Sequence, residues 1–299
     1  MEKIEYNQIR SECLIRWKYE DERIKYFSDK FGEWFKSIPK GANEIFINLL
    51  SRFCYYPHRQ VNEYLVSLHS ILIKKNNIND NNTIFISIKT DSGIGSSSND
   101  YWVEYKLQNC INKYICFDDI NKLTSEQSSY IQNVVIIDDC SGSGGTLIKY
   151  LNKSNNFSFF KDKKIFFIAI HVMKEALLSI EKFSKEKNLE IRVIYMHQQD
   201  KAFNDKYFEG KAELKNEFIC ISKNLKIDNR HILGFEDSEG LFAFYNNTPN
   251  NTLGVFWCNT EKCHAIFPRK NDEKPMWWNL KGQRKHRKNQ NFLSAKGGR

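Results

Sequence analysis

The chain has 299 residues, of which 41% are hydrophobic, so it is long enough for an α/β domain with an attached element. No apolar run approaches the roughly 18 to 20 residues that cross a bilayer. The charged N-terminus lacks the apolar segment of a signal peptide. Eight scattered cysteines do not have the dense spacing of a disulfide scaffold. We therefore expect a reduced, cytoplasmic protein that does not enter a membrane.

The net charge of +9 is concentrated near the C-terminus. Residues 280–299 contain seven of the lysines and arginines and no acidic residue, so the remainder of the chain is close to neutral. We therefore expect any affinity for a polyanion to reside in a basic tail, residues 269–299. Trp277 and Trp278 beside this cationic segment are typical of contacts with single-stranded DNA or RNA. A disordered, solubilising tail is the alternative.

Residues 1–80 are predicted to form a helical N-terminal extension. Apolar residues recur there at helical spacing, as in the series Val61, Leu65, Leu68 and Leu72. An asparagine-rich segment then marks a boundary to the next part of the chain. We expect these helices to pack on a sheet and to offer a surface to a partner.

Residues 81–268 alternate between apolar runs of strand length and amphipathic segments of helix length. This alternation predicts an α/β domain in which helices flank a parallel sheet with right-handed crossovers. The predicted strands are 84–88, 114–117, 134–137, 165–170, 191–196, 241–245 and 253–257.

The segment from Val134 to Leu147 is the most informative in the chain. Four apolar residues predict a buried strand, and Asp138 and Asp139 follow where that strand should end. A loop of small residues then leads into a helix, so backbone N–H groups and the helix dipole can bind a phosphate. The carboxylates can accept hydrogen bonds from ribose hydroxyls directly, or bind a magnesium ion that in turn contacts those hydroxyls. The predicted phosphate-binding residues are Ser141, Gly142, Ser143, Gly144, Gly145 and Thr146.

Two other phosphate-binding loops do not fit this segment. A Walker A loop would continue from its glycines into Gly-Lys-Ser/Thr, which is absent here. A dinucleotide fingerprint would place its acidic residue after the loop rather than before it.

The segment resembles the loop with which type I phosphoribosyltransferases bind 5-phosphoribosyl-1-pyrophosphate (PRPP). That loop has four apolar residues, two acids, three variable residues and Thr-Gly-x-Thr, and here Ser143 stands for the first threonine and keeps its hydroxyl. The resemblance implies a type I phosphoribosyltransferase-like fold and a Mg²⁺-dependent transfer of a phosphoribosyl group, a glycosyltransferase reaction. It further implies that Asp138 and Asp139 hold the ribose hydroxyls, directly or through Mg²⁺, while the loop holds the 5-phosphate.

A second loop rich in small residues follows the predicted strand 84–88. Loops at the carboxyl ends of neighbouring parallel strands share one crevice. Lys89, Ser92 and Gly93 are therefore candidates for binding the pyrophosphate of PRPP, as a loop in this relative position does in the enzymes that the segment resembles. A flexible surface loop is the alternative.

Two histidines, His171 and His197, are predicted at the carboxyl edge of the same sheet. A lone histidine at such a position is more often structural than a ligand contact. His197 is nevertheless retained as a candidate for the part of the site that receives the acceptor.

An asparagine- and threonine-rich stretch, residues 246–252, separates the last two predicted strands. It is either an ordinary long turn or a loop that closes over the acceptor through Asn246, Thr248, Asn250 and Asn251. The stretch resembles one in phosphoribosyltransferase-like effectors of bacterial conflict and anti-phage systems, some of them encoded beside retron reverse transcriptases. That resemblance covers roughly residues 40–268. It implies a toxic effector held in check within a homo-oligomer or a complex that includes a reverse transcriptase and its noncoding RNA.

Three functions remain open from the sequence. The first is an effector enzyme that consumes PRPP and a nucleobase or nucleotide. The second is a regulator that senses PRPP or a nucleotide without catalysis, and the third is a nucleic-acid-binding component with a vestigial pocket. Because a sensor needs less transition-state machinery, the intact pair Asp138 and Asp139 favours the enzyme.

Overall fold

A computed structural model of the protein describes residues 3–18, 21–76, 78–88, 97–117, 120–208 and 212–269. Its helices in these ranges are α1 Lys3–Arg16, α2 Phe27–Ser37, α3 Asn43–Ser51, α4 His58–Lys75, α5 Ser97–Gln108, α6 Ser125–Tyr130, α7 Gly145–Asn152, α8 Ser154–Phe160, α9 Lys174–Lys187, α10 Asp205–Phe208, α11 Ala212–Asn224 and α12 Asn229–Ile232. Its strands are β1 Cys54–Tyr56, β2 Thr83–Ser87, β3 Cys116–Phe117, β4 Asn133–Ser141, β5 Lys164–Met173, β6 Glu190–Gln199 and β7 Phe242–Phe244. None of the described helices has the length and apolar character needed to span a bilayer.

The central sheet has the order β3-β2-β4-β5-β6, and every pair of neighbouring strands is parallel. Helices α4 and α5 cover one face of this sheet, and α7 and α9 cover the other. The predicted α/β class, with helices on both sides of a parallel sheet, is confirmed.

The strand order places a switch point between β2 and β4. From β2 the chain moves outward to β3, and it then returns across β2 to β4 before continuing to β5 and β6. The connections from β2 to β3 and from β4 to β5 therefore run toward opposite edges of the sheet. In open α/β sheets, ligands bind in the crevice that opens at such a point, outside the carboxyl ends of the strands.

Strand β4 is longer than the sequence predicted. It continues through Asp138 and Asp139 to Ser141, four residues beyond the predicted end. The reason is its neighbour β5, which is equally extended and pairs Ser141 with Val172. The two acids therefore lie within the buried end of a strand rather than in the loop after it.

Three other local predictions were wrong, one of them in part. The predicted strand 114–117 is a strand only at Cys116–Phe117, because Lys113–Ile115 forms a 3₁₀ helix. Residues 153–163 were expected to form a polar loop, but they contain α8, whose Phe160 is fully buried beside Tyr150. Residues 253–257 were expected to form a strand, but Gly254–Phe256 is a 3₁₀ helix that packs closely against the backbone of His231. A short apolar run that is buried on all sides shows no alternation of apolar and polar residues, so its sequence does not distinguish a strand from a helix.

The N-terminal helices share a hydrophobic core with the C-terminal part of the chain. Buried residues of α1, α2 and α3 pack against buried residues between 202 and 267. Strand β7 pairs with β1 in a small second sheet and separates two cores. Its Phe242 and Phe244 face the central sheet, whereas Ala243 faces the N-terminal helices. The boundaries predicted near residues 80 and 268 stay a prediction. Residues on either side of the first boundary share a core, since the N-terminal helices pack against residues between 202 and 267.

Candidate functional site

The connection from β4 to α7 is shaped by glycine. Gly144 has φ +79° and precedes the first residue of α7. A Cβ at Gly144 would lie 3.1 Å from Ile180 Cγ1 and 3.2 Å from the carbonyl oxygen of Ala176, both on α9. The left-handed backbone and the close contact with α9 both require glycine at this position. As a result the N-terminus of α7 opens directly at the carboxyl edge of the sheet.

A second glycine of the loop contacts a distant part of the chain. A Cβ at Gly142 would overlap Asn251 Nδ2, so the two residues are in direct contact. Asn251 is fixed there, since its Nδ2 donates to Ser238 Oγ at 3.2 Å and its carbonyl oxygen accepts from Gly240 N at 2.9 Å. The 246–252 stretch therefore lies against the predicted phosphate loop.

These segments enclose one cavity of about 220 Å³. Its lining combines an acid of β4, the glycine loop, the first turn of α7 and two segments from the C-terminal part of the chain. The main lining residues are Asp138, Ser141, Gly142, Ser143, Gly144, Gly145, Thr146, Lys149, Phe235, Glu236, Asn250 and Asn251. The cavity is polar and contains both carboxylates and N–H donors.

The two acids of β4 are both buried, with Asp138 8% and Asp139 5% exposed. Asp138 Oδ1 accepts from Asp139 N at 2.9 Å, and Asp139 Oδ1 accepts from Cys140 N at 2.8 Å. Burial, followed by the charge of Asp139, raises the pKa of Asp138 well above its usual range. The pair is thus an electrostatically costly arrangement that a bound cation would relieve.

The donor set fits Mg²⁺ in one particular way. Carboxylate oxygens are its preferred protein ligands, and one or two of them combined with substrate phosphates and water form a common magnesium site. No group of three or more His, Cys, Asp or Glu side chains among the described residues is arranged to hold a metal. Asp138, which lines the cavity, and the adjacent Asp139 are the residues that would hold Mg²⁺, with oxygens of the substrate completing its coordination.

Two cationic side chains near the β4–α7 connection were not predicted. Lys149 lines the cavity one turn into α7, four residues after Gly145. Burial and then the charges of Asp139 and Asp138 raise the pKa of Cys140, and the positive charge of Arg269 opposes that rise. The helical spacing from the glycine loop could have revealed Lys149, whereas the position of Arg269 depends on tertiary structure.

Asn246 and Thr248 lie in the 246–252 stretch but are not among the residues that line the cavity. Asn246 is buried and accepts a hydrogen bond from Tyr101 Oη at 2.8 Å. Thr248 is fully buried, and its hydroxyl donates to the carbonyl oxygen of Phe267 at 2.6 Å. Both residues brace the stretch that carries Asn250 and Asn251.

His197 faces a different part of the molecule. Its ring lies 5.5 Å from that of Tyr56 and 5.1 Å from that of Tyr64, and it is not among the cavity-lining residues. The neighbouring His171 is fully buried, with its Nδ1 2.7 Å from Tyr56 Oη. His171 lies in the core beside the small sheet, and the half-buried His197 is its partner on β6.

The predicted pyrophosphate-binding residues Lys89, Ser92 and Gly93 lie outside the described residues. Strand β2, which precedes them, pairs its Ser87 with Ile137 of β4. The chain therefore leaves β2 beside the acid pair.

Comparison with known proteins gives a family match. A family model described as PRTase-CE matches residues 31–269. Among solved structures, the AQ2163 protein from Aquifex aeolicus is similar, with 13% sequence identity and a TM-score of 0.32 over 69% of this chain and 88% of that chain. No curated protein matches the chain. Because the family model spans most of the sequence, the chain belongs to the PRTase-CE family of phosphoribosyltransferase-like proteins.

Proposed function

We propose that this protein binds PRPP at the β4–α7 connection and transfers its phosphoribosyl group to a nitrogen atom of a nucleobase or nucleotide. One observation carries the proposal. A buried acid pair, a glycine loop and the N-terminus of α7 meet at the switch point of a parallel sheet, and a single cavity is lined by residues from all three. Family membership supports the same class of transferase.

The loop and the acid pair take different parts of the ligand in this proposal. Residues 141–146 bind the 5-phosphate, because backbone N–H groups and the positive end of the helix dipole favour an anion there. Asp138 and Asp139 hold the ribose hydroxyls, directly or through Mg²⁺. When bound, Mg²⁺ supplies positive charge that stabilises the departing pyrophosphate. Lys89, Ser92 and Gly93 remain the predicted contacts of that pyrophosphate.

The proposed reaction exchanges two bonds at C1 of the ribose. The C1–O bond breaks and pyrophosphate leaves with the electron pair, and the lone pair of the acceptor nitrogen forms the new C1–N bond. A proton on that nitrogen passes to solvent. The chain's own contribution is mainly orientation, since holding both reactants in line removes much of the entropic cost of the encounter. Asn250 and Asn251 stand beside the loop, where amide groups can position the acceptor.

A role in anti-phage defence is a second part of the proposal, and it is supported by the resemblance of residues 246–252. In that role the transferase depletes a nucleotide pool, and a complex with a reverse transcriptase and its noncoding RNA restrains it. A homo-oligomer is the alternative assembly.

The proposal is tested by measuring pyrophosphate release from PRPP with Mg²⁺, a panel of nucleobases and a nucleotide extract. We expect release by the native protein and none by the double variant Asp138→Asn/Asp139→Asn. The matched control is Asp162→Asn, an exposed acid at the opposite edge of the sheet. Binding of PRPP without release in any mixture would favour a sensor. If the native protein neither binds PRPP nor releases pyrophosphate, the proposal is refuted.

A further inference from the structure

A short acidic segment, residues 234–239, forms part of the cavity wall, and we call it the acidic turn. Phe235 and Glu236 of this turn line the cavity together with the glycine loop. The volume of about 220 Å³ is below the roughly 300 Å³ at which small-molecule sites usually begin. The turn therefore accounts for part of the wall that keeps the cavity small.

The carboxylate of Glu236 lies near the start of α7. Its Oε2 is 3.8 Å from the position of a Cβ built on Gly145, the first residue of that helix. The N-terminus of a helix attracts an anion through its free N–H groups and its dipole. A side-chain carboxylate thus lies beside the place where the proposed function expects the 5-phosphate, and two anions so close together repel each other.

The backbone of the acidic turn is unusual. Glu236, Asp237 and Glu239 have φ values of +53°, +50° and +50°, although none of them is glycine. Side chains disfavour this left-handed region, so the surrounding structure must hold the turn in it. A conformation of this kind can be exchanged for another when a ligand supplies a competing interaction.

The C-terminal end of the turn is anchored, whereas its tip is exposed. Glu239 is 1% exposed, pairs with Lys215 and accepts from Phe203 N at 3.0 Å. Ser238 Oγ donates to the carbonyl oxygen of Asn251 at 2.9 Å. Glu236 itself is exposed to solvent, so its side chain can leave the loop without breaking these anchors.

We propose that the acidic turn acts as a gate. Glu236 blocks the anion position at the N-terminus of α7, and its side chain must move outward before a phosphate binds. This inference rests on the proposed function, because it assigns a phosphate to the same loop. The displaced carboxylate passes into solvent, and the phosphate takes over the interaction with the helix N-terminus. The gate lowers the affinity of the resting protein for its ligand.

The test is calorimetric titration with ribose 5-phosphate in the absence of metal, which isolates the phosphate position from the acid pair. We expect Glu236→Gln to bind at least about fivefold more tightly than the native protein, which is the low end of typical coupling between competing states of one site. The matched control is Asp237→Asn, which removes a neighbouring charge with the same left-handed backbone but does not line the cavity. Its affinity should stay within about twofold of native. Melting curves should show both variants folded.

The outcomes separate the gate from the proposed function. Tighter binding by Glu236→Gln alone, or binding detected only in that variant, supports the gate. Equal affinity in the native protein and Glu236→Gln overturns the gate and leaves the phosphate site in place. Weaker binding by Glu236→Gln also overturns it and makes Glu236 a ligand contact. If no variant binds ribose 5-phosphate and the native protein does not bind PRPP with Mg²⁺, both proposals fall.

Discussion

Asp138 illustrates how a functional residue can cost stability. Its carboxyl is buried beside Asp139, and both burial and the neighbouring charge oppose its ionisation. The unfolded chain ionises the same group freely near pH 4. The folded state therefore binds more protons above that pH, and stability decreases as pH rises toward the folded pKa.

We predict that Asp138→Asn stabilises the metal-free protein while it weakens ligand binding. The amide has nearly the same shape, its Oδ1 can still accept from Asp139 N, and it carries no charge to bury. The gain at pH 8 should be about 1 kcal/mol or more. Urea unfolding at pH 8 and pH 5 measures it, and the gain should shrink at the lower pH. A variant less stable than the native protein at pH 8 would contradict this reading of the pair.

His171 makes the opposite contribution to pH dependence. Burial, followed by the charge of His197, lowers its pKa to about 3. Between that value and the unfolded pKa of about 6.5, the unfolded chain binds the proton and the folded protein does not. This group therefore makes stability fall as pH decreases from about 6.5, at a limit of about 1.4 kcal/mol per pH unit.

We predict that His171→Gln reduces the loss of stability between pH 7 and pH 5, even though its stability at pH 7 is lower. Glutamine cannot take up the proton but can still bond to Tyr56 Oη. Urea unfolding at three pH values measures the slope, with His264→Gln, an exposed histidine, as the control. Equal slopes for the native protein and His171→Gln would show that this histidine does not titrate on unfolding.

At the scale of secondary-structure elements, Arg23 joins the N-terminal helices to the 246–252 stretch, which reaches the cavity. It precedes α2, and its Nη2 donates to Thr248 Oγ1 at 2.8 Å and to the carbonyl oxygen of Pro268 at 2.9 Å. Its guanidinium also lies 5.4 Å from the ring of Phe267. One side chain thus fixes the 246–252 stretch from a part of the chain more than 200 residues away.

We predict that Arg23→Met lowers stability by about 2 kcal/mol, because several partly buried acceptors lose their donor. Affinity for PRPP should fall as well, since the stretch that carries Asn251 loses its brace. Urea unfolding and calorimetry measure the two effects. The control is Arg59→Met, a 73% exposed arginine on α4, which should change neither. An unaltered stability of Arg23→Met would show that the contacts of Arg23 do not hold this stretch in place.

The sequence predicted elements where a pattern is local and failed where the determinant is distant. The apolar runs of β4 and β5 and the helical period of α4 were sufficient for those elements. The predicted end of β4 was wrong because the sequence from Asp138 to Ser141 resembles a turn. These residues stay in the sheet because they pair with the equally long strand β5. Strand β1 has three residues between two helices, so nothing local marks it.

At the scale of the whole molecule, one half of the site follows from a local sequence pattern, and the other half depends on contacts between distant segments. The acids and glycines between 138 and 146 form a contiguous motif, so their chemistry could be predicted. The contact of Asn251 with Gly142 and the position of Glu236 depend on packing between the C-terminal segment and the sheet. That packing depends in turn on the core shared with the N-terminal helices, which no single segment encodes.

The basic tail allows a prediction at the same scale. The seven basic residues of 280–299 carry most of the net charge of +9, so deletion of this segment should remove most of the affinity for RNA or single-stranded DNA. A plot of the logarithm of the remaining affinity against the logarithm of the salt concentration should be less steep, because binding releases fewer counterions. Fluorescence anisotropy at 50 and 200 mM salt measures both quantities. Unaltered RNA binding after the deletion would locate the affinity in the body of the protein instead.

The most direct measurement of the central claim is calorimetric titration of the native protein with PRPP and Mg²⁺, compared with Asp138→Asn/Asp139→Asn and with Asp162→Asn. We predict saturable binding below about 1 mM, the upper end of typical substrate levels, for the native protein and Asp162→Asn. The double variant should bind at least tenfold more weakly, because it loses about 1.4 kcal/mol or more of charged contacts. Binding that the double variant retains in full, or no binding by the native protein at about 1 mM, would contradict the assignment of a PRPP site to the β4–α7 connection.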